Sequence, residues 1–147
     1  MSARYQTVSH GRWPSGSDKP VAVLRRGPEE LERAYGLRFT PGEDDMDAFR
    51  EAGIRLASGR PVLLLRYQNS RESGTTLSID REDDATAAFH DFKRAFEIPD
   101  GEFSWKSDEV IAGERSRAPG SVPGAVAAFV LGLISSLFAS SPRPGRR

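Results

Sequence analysis

Two histidines, His10 and His90, are the only imidazoles in the chain, and there is no cysteine. Histidine-based acid–base chemistry must therefore use one of these two, and disulfides, iron–sulfur clusters and thiolate zinc sites are excluded. His10 lies among Ser, Gly and Arg residues with no apolar period, a setting that holds no base in place. His90 falls on the polar side of a helical pattern, next to Asp91 and one turn before Arg94, as a solvated surface histidine does. A small membrane-associated enzyme using His90 as base is one reading, and it requires a concave pocket around that ring.

Two acidic runs invite a metal reading: Glu43, Asp44, Asp45 and Asp47, and Asp80, Glu82, Asp83 and Asp84. The second has alternate acids, with Asp91 where a twelve-residue calcium loop would close. Ala85, however, occupies the position where that loop needs glycine. Both runs precede helical patterns, where carboxylates cap amides and complement the helix dipole, so no metal and no cofactor is expected. Phosphate-loop, dinucleotide, serine-hydrolase and metalloprotease motifs are all absent. Contact residues remain. Arg66, Arg71 and Arg81 on or beside a hairpin could face an anionic partner or lipid headgroups, and Tyr67, Phe103 and Trp105 could form an exposed aromatic contact patch, although strand aromatics are more often core.

These residues must be positioned by a core of about 95 residues, enough for one modest domain. Val21, Val23 and Leu24 suggest a strand. Pro28 and Gly36 bracket a two-turn helix with Leu31 and Tyr35 on one side. Met46, Phe49, Gly53 and Leu56 repeat at helical spacing and predict a second, longer helix opened by the acids before it. Pro61 to Gln68 and Thr75 to Asp80 predict two strands joined as an antiparallel hairpin. Ala85, Ala88, Phe89, Phe92 and Phe96 predict a helix that Pro99 ends. Phe103 to Trp105 and Val110 to Ala112 read as one interrupted strand. The expected fold is α+β: a small antiparallel or mixed sheet with two to three helices on one face.

The organisation expected is a flexible arm over residues 1–18, the α+β domain over 19–113, a linker over 114–121, an apolar helix over 122–139 and a basic tail over 140–147. All 21 acidic residues precede Arg117, whereas Arg143, Arg146 and Arg147 follow the apolar run. The body is thus slightly acidic, which argues against nucleic acid as a partner. From residue 118 to residue 142 there is no charged side chain, and Val122 to Ala139 is almost wholly apolar. Eighteen helical residues reach about 27 Å, close to the roughly 30 Å of a bilayer's hydrocarbon core. A lipid bilayer is therefore the expected partner of this segment, as a single-pass tail anchor; the competing reading is a helix buried in the globular body.

The first twenty residues hold no apolar run of signal length, so the domain is expected to stay on the cytoplasmic side of the membrane. Gly124, Ala128, Gly132, Ser136 and Ser140 recur every fourth position, a stripe suited to helix–helix packing and a homodimer. The function expected is a non-enzymatic interaction or regulatory module at the membrane, its protein partner unidentified by sequence. An alternative is a binding module that neutralises a toxin or effector there through its acidic surface.

Overall fold

The computed structural model describes residues 5–7 and 13–118. Seven strands and three helices follow in the order β1 (Tyr5–Thr7), β2 (Asp18–Leu24), α1 (Pro28–Tyr35), β3 (Thr40–Glu43), β4 (Ala48–Leu56), β5 (Pro61–Tyr67), β6 (Thr75–Asp80), α2 (Ala85–Phe96), β7 (Phe103–Lys106) and α3 (Asp108–Arg117). A single 3-10 turn, Asp100–Glu102, leads into β7. The fold is α+β, and every strand pairing in its sheet is antiparallel.

The sheet runs β1-β4-β5-β6-β2-β7, with β3 also on β4. β3 and β1 share one edge of β4 end to end: Thr40–Glu43 faces Ala48–Glu51, and Tyr5–Thr7 faces Ile54–Leu56. Pro41, which has no amide hydrogen, sits in this edge strand, a residue that blunts sheet extension.

One face of the sheet carries the core. Ala52, Ile54 and Leu56 of β4, Val62 and Leu64 of β5, Leu77 and Ile79 of β6 meet Leu31 of α1, Phe89 and Phe92 of α2 and Val110 of α3 in a single buried cluster. All three helices therefore pack on the same side. A bulge between Pro20 and Ala22 turns both Val21 and Ala22 into buried positions.

Local signals explain α1 and α2. Gly36 ends α1 in the left-handed conformation at φ 67°, and Glu30 accepts the Gly27 amide at 3.0 Å. Asp84 caps α2 by accepting the Ala87 amide at 2.8 Å.

The expected helix over Met46 to Leu56 is instead the β3–β4 hairpin. Its residues satisfy a strand period: Ala52, Ile54 and Leu56 are buried in the core while Glu51 is half-buried and Arg55 exposed on the alternate positions. Ile54 is β-branched, and Gly53 inside a helix would cost about 1 kcal/mol, so both favour the strand. Met46, placed on the helical stripe, is 84% exposed in the turn. The acids before it cap that turn rather than a helix: Asp44 accepts the Met46 amide at 2.9 Å and the Asp47 amide at 3.1 Å.

Val110 to Ala112 is likewise helical, in α3, rather than a continuation of the strand through Trp105. Ser107 accepts the Val110 amide at 3.4 Å, and Asp108 and Glu109 occupy the first turn, so the chain turns into a helix directly after β7. Tyr5–Thr7, inside the stretch read as an arm, is a strand. The apolar segment Val122 to Ala139, its small-residue stripe and the basic tail lie outside the described residues. Among the described residues no helix is long and apolar enough to cross a membrane.

Candidate functional site

The face of the sheet opposite the helices has its own cross-strand row. Val23 of β2 stands between Trp105 of β7 and Thr76 of β6, and Thr76 faces Leu65 of β5. Side chains alternate along each strand, so these four lie on the side away from the core. Trp105 is 47% exposed there.

Beside Trp105 the loop from residue 69 to residue 74 folds over the strand ends. Gly74, at φ 120°, comes so close to Leu24 that a Cβ would overlap the Leu24 carbonyl oxygen. Arg71 of the same loop is exposed. Trp105, Ser104, Val23, Thr76, Pro20 and Arg71 line one cleft of about 720 Å³. A half-exposed indole, a guanidinium and the carboxylate of Glu72 line this one concavity, which offers an apolar plate, one N–H donor and charges of both signs. Such a surface suits a peptide or protein segment that brings an apolar residue against the indole.

Arg66 goes elsewhere. It follows Val62 and Leu64 on the helix-bearing side of β5, and its Nη1 donates to the backbone oxygens of Glu72 and Gly74. Its cross-strand neighbour is Arg50. The two arginines line a second cleft, of about 440 Å³, with Glu29, Pro28, Pro41 and Phe49. Arg81 follows β6 at the end of that strand away from the 69–74 loop; its backbone amide donates to the Ser17 oxygen at 3.0 Å. Of the four expected contact residues, the structure therefore unites Arg71 with Trp105 and separates Arg66 and Arg81 from them. Arg50 went unnoticed in the sequence because the helical reading of its segment hid its position opposite Arg66.

His90 packs edge-on against Phe89, ring centres 5.5 Å apart, and lines neither of these clefts. A third cleft, of about 520 Å³, is bordered by Asp80, Glu82 and Asp83 together with Arg60, and His90 does not line it either. Asp44, Asp47, Asp80, Asp83 and Asp84 of the two runs are engaged within the fold. Tyr67 donates to Asp44 at 2.7 Å, which raises the tyrosine pKa, and Asn69 donates its backbone amide to Asp47 at 2.7 Å. Asp80 accepts the Ser15 amide at 2.9 Å and the Glu82 amide at 3.0 Å. Asp83 and Asp91 are both bound by Arg60. Among the described residues no group of three or more His, Asp or Glu side chains is arranged to hold a metal ion.

The chain matches no family model, no characterised protein and no solved structure.

Proposed function

We propose that this chain is a single-pass, tail-anchored membrane protein whose α+β domain works on the cytoplasmic side as a non-enzymatic interaction module. The observation that carries the anchor is the uncharged run from residue 118 to residue 142, with its apolar centre Val122 to Ala139. A helix there satisfies its own backbone groups, as lipid demands, and no charged face is available for a surface-lying amphipathic helix. Pairing through Gly124, Ala128, Gly132, Ser136 and Ser140 fits the same helix, since small side chains let two backbones approach closely.

The cleft formed by Trp105 and Arg71 supports the module reading. Exposed tryptophan beside arginine is the composition enriched at the energetic centres of interfaces. Holding such a surface near the bilayer raises its effective concentration toward membrane-held partners, so a modest intrinsic affinity suffices.

The test has two parts. Cells expressing the full chain, or a chain ending at Gly120, are fractionated: the full chain is expected in the carbonate-resistant membrane pellet and the shortened one in the supernatant. Recovery of both without detergent removes the anchor. A photoreactive residue in place of Trp105 in the membrane-held chain should then form discrete protein adducts. Equal labelling from position 81 argues against the cleft.

A further inference from the structure

Arg50 and Arg66 stand directly opposite each other on β4 and β5. Like charges in register across an antiparallel pair destabilise it, because their Cβ atoms lie only about 5 Å apart. The fold compensates one of them. Arg50 binds Glu29 through Nη1 and Glu32 through Nη2, the latter at 3.1 Å, and its guanidinium also lies 6.0 Å from the centre of the Phe39 ring. Arg66 is held by backbone oxygens, and among the described residues it forms no ion pair with a carboxylate. Its remaining N–H groups keep a donor capacity that neutral carbonyls on Nη1 do not use.

The carboxylate nearest to completing the pair is Glu29. It binds Arg50 and feels Arg66 as well: its pKa is lowered first by a backbone hydrogen bond, and further by Arg50 and then Arg66. Glu29 is also the loosest member of the cluster, its side chain 66% exposed against 33% for Arg50. An exposed ion pair of this kind is weak, so another anion can displace it. The cleft is larger than one carboxylate needs. Pro28 and Pro41 give it apolar walls beside the arginines.

From this geometry we infer that the Arg50–Arg66 cleft binds the phosphate or carboxylate of a small organic anion with an apolar body. Glu29 occupies the anion position when the cleft is empty. On binding, the ligand anion bridges both guanidiniums, its apolar part lies against Pro28 and Pro41, and the Glu29 side chain swings into solvent. This site is separate from the Trp105 cleft and independent of any membrane tether.

The experiment titrates phenyl phosphate and benzoate into the full chain, purified in a non-ionic detergent free of phospholipid, and follows the backbone amide shifts of Phe49 and Gln68. Saturable shifts with either probe, and none with the neutral benzyl alcohol, are expected. Arg66→Gln should weaken binding by about tenfold or more, the loss of one charge-assisted contact. Glu29→Gln should tighten it by about threefold or more because the internal competitor is gone, an effect that a damaged fold cannot imitate. Arg81→Gln should leave it unchanged. Absence of saturation in the unaltered chain, or weaker binding in Glu29→Gln, overturns the assignment. If the unaltered chain saturates only after anionic phospholipid vesicles are supplied, the soluble-anion assignment is likewise overturned in favour of a headgroup.

Discussion

Gly113 of α3 lies against Thr86 of α2 so closely that a Cβ at position 113 would overlap Thr86 Oγ1, Cγ2 and Cβ. The same Thr86 hydroxyl donates to the Glu109 carbonyl oxygen at 3.1 Å, so the start of α2 and the middle of α3 share one contact. Alanine is the better helix former by about 1 kcal/mol, but overpacking costs about 1–3 kcal/mol, and here the second effect is the larger. Gly113→Ala should therefore lower the stability of the full chain by about 1–2 kcal/mol, seen as a lower urea midpoint with an unchanged slope. Thr86→Ala in the same chain should recover part of the loss. A stabilised Gly113→Ala would mean that the two helices separate freely.

Arg60 ties three pieces of chain together. It bonds Asp83 just before α2 and, at 3.1 Å, Asp91 on α2 itself, while its own residue precedes β5. All three side chains are less than a third exposed, so the network is screened less than a surface pair. Replacing Arg60 by Met keeps the aliphatic stem but leaves two carboxylates facing one another. The expected loss is about 1–3 kcal/mol, and Arg60→Lys should recover only a fraction because one ammonium cannot span both acids as the planar fork does. Urea titrations of the two variants measure the difference.

Asp80 gives a pH dependence with a defined sign. Its pKa is lowered, chiefly by the Ser15 backbone amide and then by that of Glu82, because both hydrogen bonds favour the ionised form. A folded-state value below the unfolded one means that the contribution is complete above the ordinary aspartate value of 3.8 and fades as the pH falls toward the lowered one. Asp80→Asn should thus be less stable than the unaltered chain near neutral pH, and the gap should shrink on acidification. Thermal midpoints recorded in parallel for the two chains from neutral pH down to about 3 test this. A gap independent of pH would assign the role of Asp80 to packing rather than to charge.

What was legible in the sequence was local. Pro28 and Gly36 punctuate α1, the phenylalanine spacing before Pro99 declares α2, and the apolar run of β5 with the alternation of β6 declares their hairpin. The β3–β4 hairpin was missed because Met46, Phe49, Gly53 and Leu56 happen to fit a helical period while Ala52, Ile54 and Leu56 fit a strand period. Only the neighbouring strand decides between the two, since Ala52 faces Leu64 and Ile54 faces Val62. Tyr5–Thr7 is too short to show a period at all. The clefts were illegible for the same reason. Arg71 and Trp105 meet because β2 lies between β6 and β7, and Arg66 meets Arg50 because β4 pairs with β5; strand order is a long-range property that no local window carries.

Phe89 and Trp105 should separate stability from recognition. Phe89 is fully buried, its ring 4.8 Å from that of Phe103, and both Lys93 and Lys106 hold their ammonium groups over it, at 5.7 and 5.1 Å from its centre. Asp100 and Glu114 neutralise those lysines, so one ring organises the junction of α2, the 3-10 turn, β7 and α3. Phe89→Ala removes a filled core volume and should cost about 3–5 kcal/mol, much of the stability of a domain this size. Trp105, half in solvent on the opposite face, should cost less than half as much when replaced by Ser, yet that change should abolish the adducts formed by a photoreactive residue placed at Thr76 in the same cleft. Urea midpoints and cross-linking yields measured on the two variants in the membrane-held chain decide the point. If Trp105→Ser unfolds the domain as Phe89→Ala does, the indole is a core residue and the surface assigned to recognition loses its principal contact.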